Sequence, residues 1–273
     1  MTHETDEYVL GTHEEELLRL GLQHQLWAAQ AAAAWERAGF EPGHALLDVG
    51  CGPGHATWDL ARLVGRGGRV VGVDASARFV EHVRAQADAR GAANVEARVG
   101  DVQRLELPAG SMDGAWARWV LCFVADPEAT VAGVARALRP GGVFVVHDYL
   151  HYEGIVLAPH APGFIRVIDA VSRSWRAGGG DPDVGMRLPQ IMARCGMEVR
   201  EIRPVIRVAR PGAPLWHWPR SFFTGHVPRL VEGGWLAEGD AEEFRREWEE
   251  HSADPAAFLL TPPMVEVIGV RAG

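Results

Sequence analysis

Lysine does not occur once in the 273 residues, so all 27 basic side chains are arginine. That removes a phosphate-loop lysine, a Schiff-base lysine and pyridoxal phosphate chemistry together. Cysteine is nearly as scarce: Cys51, Cys122 and Cys195 are scattered without a C-x-x-C pair. Such usage fits a reducing compartment and argues against a zinc site. An excess of positive charge is missing too, since 36 acids against 27 bases leave a net charge of −9. A nucleic-acid backbone is therefore a poor partner. No apolar run is long enough to span a bilayer, and the opening "MTHETDEYVL" lacks the apolar centre of a signal peptide. The expectation is a cytoplasmic protein that acts on neither membrane nor nucleic acid, as a monomer or a homodimer.

What is present is a strand–loop–helix punctuated by glycine. "LLDVGCGPGH", Leu46 to His55, sets apolar residues and an aspartate before three glycines in five positions, and "HATWDLARLV" follows with helical spacing. The apolar stretch reads as a strand covered on both faces, and the bare backbone after it lets a ligand press against main-chain atoms. Strands and helices then alternate. "RVVGVDAS" ends a second strand at Asp74, with Ser76 placed to cap the next helix and Gly91 to close it. "VEARVGD" ends at Asp101, "SMDGAWARWVLCF" gives a fourth strand, Asp126-Pro127 opens a helix, and "VFVVHDYL" is a fifth strand. This rhythm predicts a doubly wound α/β fold with a parallel sheet.

The 273 residues read as a single domain. Residues 1–45 supply an N-terminal helical lid, with a helix over 12–39. Residues 46–150 are the ligand-binding core. Residues 151–273 hold the remaining strands and helical cap insertions: helices near 162–177, 187–195 and 238–251, a strand in "MEVREIRPVIRVA" and a terminal strand "MVEVIGVRA".

Ligands of such sheets bind outside the carboxyl ends of the strands. Asp74 stands 20 residues after Gly54, where an acid that bonds a ribose diol belongs. The run Gly50-Cys51-Gly52-Pro53-Gly54 departs from the dinucleotide fingerprint: His55 occupies the place of its third glycine, and Pro53 withdraws an amide that a pyrophosphate would use. The loop therefore suits a nucleoside carrying a small zwitterion better than a dinucleotide. Asp101 can accept from an adenine amino group.

In order, "LLDVGCGPG", "VVGVDAS", "GDVQRLEL", "MDGAWARWVL" and "ALRPGGVFVV" resemble the motifs of class I S-adenosylmethionine-dependent methyltransferases. Residues 5–45 and "GGDPDVGMRLP" are similar to the members that methylate natural products and quinones. The resemblance implies a Rossmann-like seven-stranded sheet of order 3-2-1-4-5-7-6 with the last strand antiparallel, and S-adenosylmethionine as methyl donor. It implies that Gly50, Cys51, Gly52 and Gly54 lie against the methionine half, that Asp74 binds the ribose, and that Ala75, Asp101 and Val102 surround the adenine. Arg118 would approach the amino-acid end through its backbone. Tyr8, Arg19 and Gln23 would fold over the cofactor, with Arg19 either pairing its carboxylate or standing in solvent.

The resemblance further implies methyl transfer by in-line displacement to a small aromatic or apolar acceptor, with oxygen the expected target and carbon or nitrogen the alternatives. Such a reaction needs at most one base. His147, in "HDYLHY" at the end of the fifth strand, is the first candidate, against the competing reading of a packed strand histidine. His217, in the aromatic segment "PLWHWPRSFF", is the second, and that segment is a candidate pocket wall. Asp148 alternates to the opposite face from His147, so the two do not act on one atom. No metal site is expected. The acidic run "EEFRREWEE" reads as a solvated helix face. A nicotinamide oxidoreductase and a binding protein without turnover remain the alternatives to a methyltransferase.

Overall fold

The computed structural model describes residues 14–273. Helix α1 (Glu14–Ala38) buries Trp27, Ala31, Ala34, Trp35 and Ala38. These positions recur every three or four residues, as an amphipathic helix requires. The ring of Trp35 meets Trp116 of the sheet edge-on at 5.4 Å, while Trp27 reaches Trp119 and Trp218 at 5.8 and 5.2 Å. One helix is thus pinned both to the sheet and to the cap. Truncating a buried tryptophan of this kind costs about 3–5 kcal/mol.

The core follows as β1 (Ala45–Val49), α2 (His55–Val64), β2 (Arg69–Asp74), α3 (Ala77–Arg90), β3 (Val95–Val99), β4 (Met112–Arg118), α4 (Pro127–Ala137) and β5 (Leu138–Tyr149). The caps expected from the sequence form. Ser76 Oγ accepts from the Phe79 amide, Asp126 Oδ1 accepts from the Ala129 amide, and Gly91 closes α3 in the left-handed region. After the core come β6 (Val156–Ala158), α5 (Pro162–Ala177), α6 (Leu188–Arg194), β7 (Met197–Val205), β8 (Val208–Ala209), α7 (His217–Glu232), α8 (Glu238–Ala253), β9 (Phe258–Leu260) and β10 (Met264–Arg271).

The main sheet runs β3-β2-β1-β4-β5-β10-β7, with β10 antiparallel to both neighbours. Counting β7 and β10 as its sixth and seventh strands gives the expected order. Alternation along the strands divides the core. Leu46, Val70, Trp116 and Val145 face α1 and α2, while Leu47, Val71, Ala115 and Val146 face the other side. The switch point lies between β1 and β4, where the chain leaves in opposite directions.

Two elements of the cap are absent from the sequence reading. Strands β6, β9 and β8 form a small antiparallel sheet, and the aromatic segment after Pro214 winds into α7. The acidic helix α8 is not merely solvated. Glu247 is buried, and its two carboxylate oxygens accept the Gly163 and Phe164 amides at 3.0 and 2.9 Å. It satisfies donors that the first turn of α5 leaves unpaired. Gly163 permits this approach, since a Cβ there would meet Glu247 Oε2 at 2.9 Å.

Candidate active site

A cavity of about 600 Å³ opens at the carboxyl ends of β1, β2, β3 and β4, roofed by α1. Its size falls in the range of small-molecule sites. The loop after β1 forms one wall, and its shape depends on glycine. Gly50 and Gly52 have φ of 64° and 53°, and a Cβ on Gly50 would meet Val120 Cγ2 at 2.5 Å. The amides of Gly50 and Cys51 donate to the Val73 carbonyl at 2.8 and 3.1 Å, tying the loop to β2. Asp74 completes the tie. Its two oxygens accept the Gly52 and Ser76 amides, each at 2.8 Å, and burial raises its pKa against the lowering by these two bonds. Ala75, Phe79, Val99, Asp101 and Val102 continue the wall beyond it. Asp101 Oδ1 accepts the Gln103 amide at 2.9 Å and caps the short turn that carries Val102.

At the other end the cavity is ionic. Arg118, at the end of β4, donates from Nη2 to His24 Nδ1 at 3.0 Å, and His24 Nε2 lies 2.8 Å from Asp59 Oδ2. Because a guanidinium only donates, this ring accepts at Nδ1 and donates at Nε2. Arg118 Nη1 and His55 Nε2 are buried with no hydrogen-bond partner among the described residues. Burial lowers the Arg118 pKa to about 10 despite the opposite charges of Asp48 and Asp59. Asp48, fully inside β1, accepts from Thr57 Oγ1 at 2.6 Å, and burial raises its pKa to about 7.

A second, smaller space of about 40 Å³ lies under the cap. Trp119, Phe123, Tyr149, Tyr152, Trp175, Trp218 and Phe222 line it with Arg19 and Gln23. Among the described residues, no carboxylate or histidine lines it. Gln23, Trp119 and Phe123 line both spaces. Trp119 is held between them by an unusual backbone: its φ is 53°, its amide donates to the His147 carbonyl at 3.0 Å, and its indole N–H points to Met264 Sδ. The next three amides, of Val120, Leu121 and Cys122, converge on Asp148 Oδ2 at 3.3, 2.9 and 3.3 Å. Asp148 is thus the anchor of the loop after β4. Its pKa is raised to about 6 by burial, which outweighs these bonds.

Gly50, Cys51, Gly52, Asp74, Ala75, Asp101, Val102, Arg118 and Gln23 all lie along the larger cavity. Asp48, His24 and His55 join them, although the sequence reading passed over them. Four expectations need correction, and a fifth, Tyr8, lies outside the described residues. Gly54 does not line the cavity; its Cβ position faces Val83 at 2.7 Å, so it serves the packing of α2 against α3. Arg19 lines the aromatic space rather than the larger cavity, is half-buried rather than solvated, and bonds Glu16 at 2.7 and 2.6 Å and Gln23 at 3.1 Å. His147 lines neither space. It is 1% exposed, packs on Trp116 and bonds Glu266, its cross-strand partner, at 2.7 Å, with Arg37 closing on the same carboxylate. Burial lowers its pKa, and it serves the sheet rather than the pocket. His217 is exposed at the start of α7, while its neighbour Trp218 turns inward to donate to Gln23 Oε1 at 2.9 Å. Neither histidine is placed as a base.

Among the described residues no three His, Cys, Asp or Glu side chains converge as metal ligands, and no helix is long and apolar enough to cross a membrane. Residues 47–146 match the family described as "Methyltransferase domain". Over 101 residues the chain is 43% identical to nocamycin O-methyltransferase of Saccharothrix syringae, covering 37% of this chain and 36% of that protein. It is 32% identical over 129 residues to a demethylmenaquinone methyltransferase of Lactococcus lactis subsp. lactis, covering 47% and 50%. The chain spans about half the length of the curated relatives it matches. A geranyl diphosphate C-methyltransferase from Streptomyces coelicolor A3(2) superposes with a TM-score of 0.59 over 98% of this chain and 89% of that one, at 20% identity, a likeness of fold. The motifs in their order and the sheet they build agree with that match, so residues 47–146 form a methyltransferase domain on the fold of the class I S-adenosylmethionine-dependent methyltransferases.

Proposed function

We propose that the chain transfers a methyl group from S-adenosylmethionine to a hydroxyl of a small, flat, largely apolar acceptor. The observation that carries this reading is the shared wall of Gln23, Trp119 and Phe123, which sets an aromatic pocket directly beside a polar, nucleoside-sized cavity. The donor fits the larger space on the chemistry of its groups. Asp74 offers a carboxylate to ribose hydroxyls, and Phe79, Val99 and Val102 offer apolar surface to the adenine, with Asp101 beside them. The partnerless Nη1 of Arg118 suits the carboxylate of the amino-acid end. When bound, the donor supplies a methyl group already activated on a sulfonium.

The chain's own residues then have two tasks, positioning and exclusion of water. Asp148 fixes the loop that carries Trp119 and Phe123, so the wall between donor and acceptor is held by three amide bonds. Trp119 and Trp218 stack at 5.8 Å, and Trp27 meets both edge-on. This aromatic surface favours a planar ring as acceptor. Methylation of a ring carbon is the second reading, favoured by the absence, among the described residues, of any carboxylate or histidine from the pocket lining.

The test is incubation with methyl-labelled S-adenosylmethionine and a panel of phenols, naphthols, hydroxyquinones and apolar amines, followed by location of the label. Label on oxygen supports the first reading, and label on a ring carbon the second. Binding of S-adenosylhomocysteine without transfer to any member would turn the reading towards a binding protein. Binding of NAD in its place would overturn both.

A further inference from the structure

Four histidines are buried among the described residues: His24, His147, His226 and His251. Three have partners. His24 holds Arg118 and Asp59, His147 holds Glu266, and the ring nitrogens of His251 lie 2.6 and 2.8 Å from the carbonyls of Glu247 and Pro159. His226 is 5% exposed, and neither of its ring nitrogens has a hydrogen-bond partner among the described residues. A neutral imidazole carries one N–H and one lone pair, and leaving both unmet inside a protein is costly enough to require a reason. Leucine or methionine would fill the same place without that cost.

Its position supplies the reason. Trp218, Phe222 and His226 recur at four-residue intervals on α7 and so share a face. The Phe222 ring lies 4.8 Å from the imidazole and that of Trp175 lies 6.5 Å from it, and both rings line the aromatic pocket. His226 therefore stands directly behind the pocket wall. His226 is not itself among the residues lining the pocket, so a ligand that reaches it must displace a lining side chain, and half-buried Phe222 is the one next to His226. Burial, assisted by the positive charges of Arg229 and Arg19, lowers the His226 pKa to about 4. The ring is neutral at pH 7 and keeps a lone pair for a donor.

We propose that His226 is the hydrogen-bonding group of the acceptor pocket, receiving the hydroxyl of a hydroxylated aromatic ligand that moves Phe222 aside. This rests on the reading of the aromatic pocket as the acceptor site, and it narrows the substrate class from flat and apolar to flat, apolar and hydroxylated.

The experiment titrates the full chain with 2-naphthol and with naphthalene, in wild type, His226→Leu and His226→Gln. Wild type should prefer 2-naphthol by about tenfold, the worth of one hydrogen bond. His226→Leu should bring that ratio close to one while naphthalene affinity stays, and its melting temperature should hold or rise, because an unmet polar group has gone. His226→Gln, which keeps an acceptor, should retain a preference. In the wild-type chain, the imidazole resonances of His226 should shift with 2-naphthol and stay in place with naphthalene, a readout that needs no variant. An unchanged ratio in His226→Leu, or unmoved His226 resonances at saturation, would overturn the role of His226 and leave the pocket standing. Failure of both ligands to bind wild type would overturn the pocket reading itself, and this inference with it.

Discussion

The two spaces that meet at Gln23, Trp119 and Phe123 are built in opposite ways. The larger is set by backbone: a loop in left-handed conformations, amides tied to β2 and Asp74, and strand ends whose positions follow from sheet order. Its polar groups are in place, and among the described residues Arg118 Nη1 and His55 Nε2 lack partners. The smaller is set by large side chains from α1, α5, α7 and the loop after β4. A site made of backbone can be shared across a family, because its ligand is shared. A site made of large side chains on cap elements can be recut for each acceptor without disturbing the sheet.

If the larger cavity is a property of backbone, the greatest effect should come from adding one methyl group to it. Gly50→Ala places a Cβ 2.5 Å from Val120 Cγ2 in a residue whose φ is 64°. Left-handed strain of about 1–2 kcal/mol adds to overpacking of about 1–3 kcal/mol. Denaturant titration should show a loss of several kcal/mol, and S-adenosylhomocysteine binding should fall below detection by calorimetry. Gly52→Ala is the control, since its Cβ would meet nothing within 4 Å and only the strain remains. Equal losses in the two variants would show that the approach to Val120 is not what constrains the loop.

The next effect is smaller and tests whether the spaces are distinct. Arg118→Met removes the partnerless Nη1 from the larger cavity while keeping bulk. Affinity for S-adenosylhomocysteine should drop about 10–100-fold, the range of a charge-assisted pair, with 2-naphthol affinity unchanged. Trp175→Ala should do the reverse, because Trp175 lines only the aromatic pocket. If each variant weakens both ligands alike, the two spaces act as one site.

The same contrast explains what could be read from the sequence. Ser76, Asp126-Pro127 and the glycine loop act on their own neighbours, so their chemistry is visible within a few residues. The sheet order came with the motifs. His147 was misassigned because its partner, Glu266, lies 119 residues away on β10, and only the antiparallel register puts the two side by side. His217 is exposed because it opens a helix whose phase the aromatic composition of the segment does not reveal. Once α7 is recognised, the spacing of Trp218, Phe222 and His226 marks the inward face, and His217 falls off it. Arg19 was drawn towards the donor by resemblance, while Glu16, one helical turn away, holds it on the acceptor side. The strands β6, β8 and β9 have only two or three residues each, too few for an alternation to register.

The last expected effect, the smallest for each step of the titration, concerns the cost of a buried carboxyl in the polar cavity, and it is read through pH. Asp48 lies under the glycine loop at 2% exposure, bonded to Thr57, with its pKa raised from 3.8 to about 7 by burial. Below pH 4 the carboxyl is protonated in both folded and unfolded chains and contributes nothing to the pH dependence. Between pH 4 and pH 7 the folded chain holds a proton that the unfolded chain has released, so stability from this group falls as pH rises. Above pH 7 the fall is complete. Asp48→Asn keeps an acceptor for the Thr57 hydroxyl and cannot titrate. Other groups titrate in both proteins, so the quantity to follow is the stability of Asp48→Asn minus that of wild type, measured by urea unfolding at pH 5, 6 and 7. The difference should grow with pH by at most about 1.4 kcal/mol per unit, the limit for one proton. A ring variant in the aromatic pocket, such as Tyr152→Phe, should show no such slope, because that space gains its shape from packing. A flat difference for Asp48→Asn would mean that Arg118 already compensates the charge, and that the polar cavity costs the fold no more than the aromatic one.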